Sequence, residues 1–305
     1  KYLLFLLIMI FLPIFTCSND SIIQKILSEQ LPYCVIAFMI CISIVDYELT
    51  WKVLYKFAWL MLIISLFDSS ILQLFDETSH TLGYAALFPA LVFSIEIFQN
   101  VKNKIRNIIG LILACILVVQ ADTAGALAAV ALTMILAMCF VIKKFKKWAF
   151  VLISIFLSFI AYFVNNISTI TMFIADKLSL YNLRIDMLLE ISRTGITTDR
   201  FRDSIYNFCY QYAKQHWFIG CGVGNERVLI TQNTLVRDQT MVSNFPHNIF
   251  LELMVQFGMI LGIILGILLV IFLISYLIKE KNLYAQKIAI LLIGIGFFPL
   301  LYSSS

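Results

Sequence analysis

Nine runs of apolar residues, at about 2–17, 31–45, 53–67, 81–98, 107–120, 124–142, 148–165, 247–278 and 285–302, are joined by short polar connections, apart from one long polar stretch over 166–246. A helix needs about 20 apolar residues to cross a bilayer. The runs read as nine helices, some of them short for a full span. Composition agrees: 61% of the chain is hydrophobic and 13% charged, against about 25% charged in soluble domains. The pattern predicts an all-α, polytopic membrane helix bundle of about nine spans with one large extracytoplasmic loop. It divides into an N-terminal transmembrane bundle (1–165), the loop (166–246) and C-terminal transmembrane helices (247–305). The first run has the length of a signal-peptide core, but among so many spans it reads as a retained helix. The stretch at 71–98 has room for a re-entrant piece. Starting at Lys1 and stopping just behind an apolar run, the sequence is expected to be part of a longer chain.

The basic residues set the orientation. Lys1, Lys52, Lys56, Lys102, Lys104, Arg106, Lys143, Lys144, Lys146, Lys147, Lys279, Lys281 and Lys287 all fall in or beside short connections on one side of the predicted bundle. The short connections on the other side hold only Lys25. Cytoplasmic loops carry the excess of Lys and Arg, so the clustered side is cytoplasmic and the long loop faces outward. The net charge of +4 is spread over these clusters and points to membrane orientation, not to nucleic acid.

Two amphipathic stretches lie in the loop, Ile170 to Ile191 and Phe201 to Phe218. The second places Phe201, Ile205, Phe208 and Tyr212 on one helical stripe, with Thr198 or Asp199 as its cap. Helices of this kind tend to lie on the membrane surface. Of seven cysteines, only Cys209 and Cys221 fall in the loop. They read as two free thiols, with a Cys209–Cys221 disulfide as the alternative, and no spacing suggests zinc.

The loop ends in Pro246-His247-Asn248 and runs straight into the eighth apolar run. Pro suits the first position of a helix. His247 and Asn248 would then sit in a first turn with free N–H groups and the positive end of the helix dipole, a ready place for an anion. His also exchanges protons near neutral pH. The plainer alternative is a polar cap at the water boundary. Asn248, Glu252 and Gln256 repeat every four residues, as a polar stripe that serves either a wet site or interhelical hydrogen bonding. Gly258, Gly262 and Gly266 form a small-residue stripe for helix packing. Six arginines, Arg184, Arg193, Arg200, Arg202, Arg227 and Arg237, lie in the loop. A guanidinium grips phosphate through paired hydrogen bonds, although most loop arginines are simply solvated. Gly220-Cys221-Gly222-Val223-Gly224 lacks the Lys-Ser/Thr of a P-loop and by itself reads as a flexible turn. Asp76, Glu77 and His80 could form a metal site, but three such residues in an exposed turn usually do not. His216 beside Trp217 reads as an interfacial pair.

Taken in order, these motifs resemble the O-antigen ligase and O-antigen polymerase superfamily over about Gly110 to Ile274. Arg202 is followed by Tyr206, then by His216-Trp217-Phe218-Ile219-Gly220 and Gly222-Val223-Gly224. Pro246-His247-Asn248-Ile249-Phe250-Leu251-Glu252 resembles the superfamily's His-Asn-x-x-Leu at the head of a span. Gln256-Phe257-Gly258 and Gly262 resemble its acidic-x-Gly-x-x-Gly, with Gln for Glu and one extra residue between the glycines. The turn Asp122-Thr123-Ala124-Gly125 lacks the arginine of the superfamily's Ser-Arg-Gly, and Trp217 stands where a Pro is usual.

The resemblance implies a membrane-embedded glycosyltransferase. Its donor would be an oligosaccharide on undecaprenyl diphosphate, its acceptor a glycan or lipid-linked glycan, and it would need no metal or other cofactor. Arg202, with Arg200 or Arg184, would bind the diphosphate. His247 would act as base on the acceptor or hydrogen-bond the donor, with Glu252 or Asp199 as fallback bases. Asn248, Glu252, Gly220, Gly222 and Gly224 would support the site. The expected activity is a polymerase of O-antigen, capsule or exopolysaccharide repeat units. A ligase onto lipid A core or another acceptor is the alternative. A flippase is the rival of different class, disfavoured by the absence of internal repeats and paired broken helices.

Overall fold

A computed structural model describes residues 16–17, 20–25, 28, 36, 44–67, 79–99, 103–121, 124–142, 172, 200–234, 246 and 248–301. Every regular element among the described residues is helical: α1 (Asp20–Lys25), α2 (Tyr47–Phe67), α3 (Ser79–Gln99), α4 (Lys104–Gln120), α5 (Ala124–Ile142), α6 (Arg200–Gln215), α7 (Asn225–Asn233), α8 (Ile249–Phe257), α9 (Met259–Lys279), α10 (Leu283–Leu292), a π-helical turn (Ile293–Phe297) and α11 (Phe298–Leu301). The all-α expectation holds for them. The runs at 2–17, 31–45 and 148–165 fall almost wholly outside the described residues, as does Ile170–Ile191 apart from Met172.

Among the described residues two helices, α2 and α9, are long and apolar enough to cross a membrane, and Leu82–Phe98, Gly125–Cys139 and Leu283–Phe297 are shorter apolar stretches. At 21 residues, α9 is about 31 Å long, close to the roughly 30 Å hydrocarbon thickness. Its buried positions are Gly262, Gly266 and Leu277, whereas Ile264, Leu268, Ile271 and Phe272 are exposed. On α2, Leu49, Val53, Phe57, Leu60, Ile63 and Ile64 are likewise exposed, while Ser65 is buried. Apolar faces of this extent are the wrong surface for water and the right one for lipid.

By internal contacts the chain forms two compact units, one of Lys1–Asp46, Asp199–Lys279 and Ser305, the other of Tyr47–Thr198 and Glu280–Ser304. In the second unit α3 is the central element, buried continuously from Pro89 to Glu96. Phe93 packs its ring against Trp59, with ring centroids 4.7 Å apart. Gly110 of α4 lets that helix close on Phe93, whose ring carbon would lie 2.8 Å from a Cβ there. Glu96 is buried, ion-paired with buried Lys287 of α10, and accepts a hydrogen bond of 2.6 Å from Trp51 Nε1. The Lys287 ammonium also faces the Trp51 and Tyr284 rings, at 5.2 and 5.5 Å from their centroids. One acid and one base thus neutralise each other among apolar helices, the usual condition for keeping charge there.

The first unit departs from the sequence reading at one place. The run at 247–278, read as a single helix, is two: the chain turns at Gly258, with φ 90° and ψ 158°. A Cβ on Gly262 would lie 2.5 Å from Met254 Cα, and one on Gly266 would lie 2.7 Å from the Phe250 ring. Met254 and Gly262 are equally far from Gly258 along the chain, as are Phe250 and Gly266. α8 therefore folds back antiparallel on the first half of α9. The glycine stripe does serve helix packing, but its partner is the helix just before it. Glycine explains the break, since only it adopts this φ without strain. Nine residues make α8 about 13.5 Å long, too short to span, so Glu252 does not lie within a span as the continuous helix implied.

Candidate functional site at a helix break

The segment His216–Gly222 runs through the break at Gly258 and satisfies the backbone on both sides of it. Met259 N–H donates to His216 O at 3.1 Å and Ile260 N–H to Trp217 O at 3.0 Å, which caps the start of α9. Cys221 N–H donates to Val255 O at 2.9 Å and Gly222 N–H to Gln256 O at 3.0 Å, which caps the end of α8. A broken helix leaves orphan carbonyls and N–H groups at its two ends, and here one seven-residue segment supplies both sets of partners. The Gly-x-Gly-x-Gly stretch is accordingly fixed in place, not the flexible turn its sequence suggested. A Cβ on Gly220 would lie 2.2 Å from Val255 O, and Gly222 and Gly224 both have positive φ. Thr16 secures the far side: its hydroxyl donates to Val223 O at 3.1 Å and its carbonyl accepts from Asn225 Nδ2 at 2.6 Å. Trp217, Phe218 and Ile219 are exposed beside the mouth of α9.

α6 packs on α7 and α8 through a cluster of Ile205, Cys209, Ile230 and Val255, flanked by Tyr206, Phe208, Tyr212, Cys221 and Leu251. Ile205, Phe208 and Tyr212 of the predicted stripe thus face this cluster. His216 stacks on Tyr212 with centroids 3.9 Å apart and bonds Tyr212 O through Nδ1 at 2.9 Å. α6 packs beside α8 and both finish at the break, so the two helices approach it in the same direction.

Asn248 is the N-cap of α8: its side chain accepts from Phe250 N at 3.0 Å and Leu251 N at 3.2 Å. The helix thus begins at Ile249, after Pro246 and not with it. An Asn side chain that satisfies two orphan donors decides the start more strongly than a proline. His247 lies outside the described residues, one residue before this cap, and so do Arg184 and Asp199. Arg200 and Arg202 occupy the first turn of α6. Glu252 accepts a hydrogen bond from Gln256 Nε2 at 3.1 Å, which realises the lower part of the predicted polar stripe. Asp76 and Glu77 lie outside the described residues, and among the described residues no cluster of His, Cys, Asp and Glu is arranged to hold a metal ion.

The sequence reading passed over Glu226. It is buried at 1% exposure, at the start of α7. Its carboxylate accepts from Gly224 N–H at 2.7 Å and stands 3.8 Å from Arg227 Nε. Its only sequence signal is position: the second residue after the last glycine of the turn, where a carboxylate can reach back to an unpaired N–H. Burial pushes the Glu226 carboxyl up. Burial, then the charge of Glu226, pushes Glu252 up to about 7, against the opposing pull of Arg227 and the Gln256 amide. Cys209 and Cys221 are free thiols, both pushed up to about 12 chiefly by burial.

The model of a family described as O-antigen ligase matches residues 109–266. That range is more than half the chain, and runs from inside α4 through α6, the glycine turn, α7, α8 and on to Gly266 of α9. The chain belongs to the O-antigen ligase family. No curated protein and no solved structure matches it. Proteins of the O-antigen ligase family are membrane-associated, glycosyltransferase-like enzymes that handle lipid-linked glycans. In this chain the glycine turn that the family match covers is threaded through the helix break at Gly258.

Proposed function

We propose that this chain polymerises oligosaccharide repeat units carried on undecaprenyl diphosphate, at the outer face of the bacterial cytoplasmic membrane. The acceptor hydroxyl oxygen attacks the sugar carbon that bears the diphosphate. The new glycosidic bond forms as the carbon–diphosphate bond breaks, the lipid diphosphate leaves with the electron pair, and the configuration inverts. His247 takes the hydroxyl proton. Diphosphate is a good leaving group whose growing charge needs fixed cations more than strong acid. Arg202, with Arg200 or Arg184, supplies them without a metal.

The observation that carries this reading is the parallel course of α6 and α8. The first turn of α6, with Arg200 and Arg202, and the capped start of α8, next to His247, lie toward the same end of one packed unit. Cation and base at one end suit a donor whose diphosphate and reacting carbon must be held close together.

The ligase reading keeps the same chemistry with a different acceptor. Complementation of a deletion strain separates the readings. His247→Ala and Arg202→Ala, at normal protein level, should leave no normal surface-glycan ladder, and a ladder restored by either variant contradicts the assignment. In the deletion strain itself, single repeat units on the acceptor identify a polymerase. Glycan stranded on its lipid carrier identifies a ligase, and donor trapped on the inner face identifies a flippase.

A further inference from the structure

α2 and α4 meet in a corner made of hydrogen-bond donors. Arg106, in the first turn of α4, donates from Nη2 to the Tyr55 hydroxyl at 2.9 Å. Its guanidinium carbon stands 5.6 Å from the centre of the Tyr55 ring and 5.8 Å from that of Trp59, one turn further along α2. The Tyr55 hydroxyl donates in turn to Asn107 Oδ1 at 2.6 Å. Asn107 is buried at 1% exposure, yet the Nδ2 of that same amide has no hydrogen-bond partner. Trp59 Nε1, in the second ring that the guanidinium faces, is another buried donor without one. Buried donors normally find an acceptor, so two of them around one guanidinium suit an acceptor brought from outside the chain.

The charges around this corner have one sign. Neither Arg106 nor Lys104 has a carboxylate partner among the described residues, whereas Lys52 is paired with Glu48 and Lys287 with Glu96. α4 has no acid in its first turn and no side-chain cap. The open N–H groups of that turn and the positive end of the helix dipole therefore add to the same field.

Arg106 also lines a shallow pocket with Asn103, Lys104, Ile105 and Ile109. Two cations and two isoleucines thus share one pocket. Ile105, Ile109 and Ile112 follow one another at helical spacing along α4 and are all exposed, so an apolar strip runs on from the charged end. A free phosphate would use the cations and leave the strip bare, whereas a phospholipid uses both. The clustering of Lys and Arg assigns this end of α4 to the cytoplasmic side, where anionic lipids gather at basic pockets between helices.

We propose that this corner binds an anionic phospholipid of the cytoplasmic leaflet. Arg106 and Lys104 hold the phosphate, backed by the first-turn N–H groups of α4. Tyr55 keeps the guanidinium in place, and the acyl chains lie along Ile105, Ile109 and Ile112. A phosphate oxygen beside Arg106 gives the Asn107 amide the acceptor it lacks. The site does not depend on what the enzyme transfers.

The test uses the full chain, purified in detergent and stripped of lipid. It is titrated with phosphatidylglycerol and with phosphatidylcholine of the same acyl chains, and bound lipid is counted by native mass spectrometry. The wild type should keep one phosphatidylglycerol more tightly than any further copy, and more tightly than phosphatidylcholine. Arg106→Gln should weaken that first binding roughly ten-fold, and Arg106→Lys should recover part of the loss. Tyr55→Phe keeps the ring, removes only the hydroxyl, and should cost less than Arg106→Gln. Lys214→Gln removes the same charge from an exposed position on α6 and should change nothing. Equal unfolding midpoints in lipid-free detergent show that the variants are folded. A tight phosphatidylglycerol that survives Arg106→Gln, or an equal loss in Lys214→Gln, overturns the site. Full displacement by glycerol phosphate, which carries the phosphate without acyl chains, identifies a free phosphate ester as the ligand and overturns the lipid.

Discussion

Gly220 lies against Gln256 so closely that a Cβ on the glycine would fall 2.5 Å from the Gln256 carbonyl carbon. The obstacle is backbone that cannot rotate away, and that backbone forms the end of α8. Gly220→Ala should therefore move the glycine turn or α8 itself, with a stability loss of about 1–3 kcal/mol and a loss of glycan transfer. Gly296→Ala is the matched control, because nothing lies within 4 Å of a Cβ there. Thermal unfolding in detergent and the glycan ladder in cells read the two effects. A Gly220→Ala protein as stable and active as Gly296→Ala contradicts the close approach.

Asn248 caps α8 with two hydrogen bonds. Asn248→Ala should cost about 1 kcal/mol, and Asn248→Asp should recover most of it. Unfolding midpoints of the three proteins test this. Equal midpoints for Asn248 and Ala would mean that α8 is held by its packing on α6, α7 and α9 without help from the cap.

Much of the fold was legible because the hydrophobic period is a strong signal. The run at 124–142 coincides with α5, and the runs at 53–67, 81–98, 107–120 and 285–302 anticipate α2, α3, α4 and the α10–α11 segment within a few residues. The break at Gly258 was not legible. An apolar run reads the same whether it continues or doubles back, and Gly258, Gly262 and Gly266 also fit an unbroken helix that packs on a neighbour. Asn248 and Glu252 were found by their four-residue spacing. Glu226 was missed because its burial depends on the packing of α7 against α6 and α8, and no local pattern carries that.

The buried pair of Glu96 and Lys287 should be costly to break and cheap to replace. Glu96→Ala or Lys287→Ala alone leaves one charge buried, a loss of about 3–5 kcal/mol. Glu96→Gln combined with Lys287→Met keeps volume without charge and should lose far less. A double-mutant cycle on unfolding in detergent measures the coupling. Additive single effects would show that the two side chains do not depend on each other.

The lifted carboxyl groups give stability a direction with pH. Folded Glu252 keeps its proton up to about 7, against 4.5 ordinarily, and Glu226 shifts the same way. Between those values the folded chain binds more protons than the unfolded one. This contribution is complete at acid pH, declines as pH rises through the window, and is gone above about 7. Wild type minus Glu252→Gln, compared by unfolding midpoint at about pH 5 and about pH 8, should show the wild type favoured more strongly at the lower pH. The opposite slope would mean that Glu252 is stabilised as a carboxylate.

The central claim is that the first turn of α6 and the start of α8 together transfer glycan from a lipid diphosphate. Its most direct test is a reconstituted reaction: the full chain in bilayers, a repeat unit on undecaprenyl diphosphate, a chelator present, and released undecaprenyl diphosphate measured against glycan lengthened. The wild type should release one lipid diphosphate for each repeat unit added, and Arg202→Ala should slow this by roughly 100- to 1,000-fold. Turnover by Arg202→Ala at the wild-type rate, or no turnover by the wild type until a divalent metal is restored, would contradict the account.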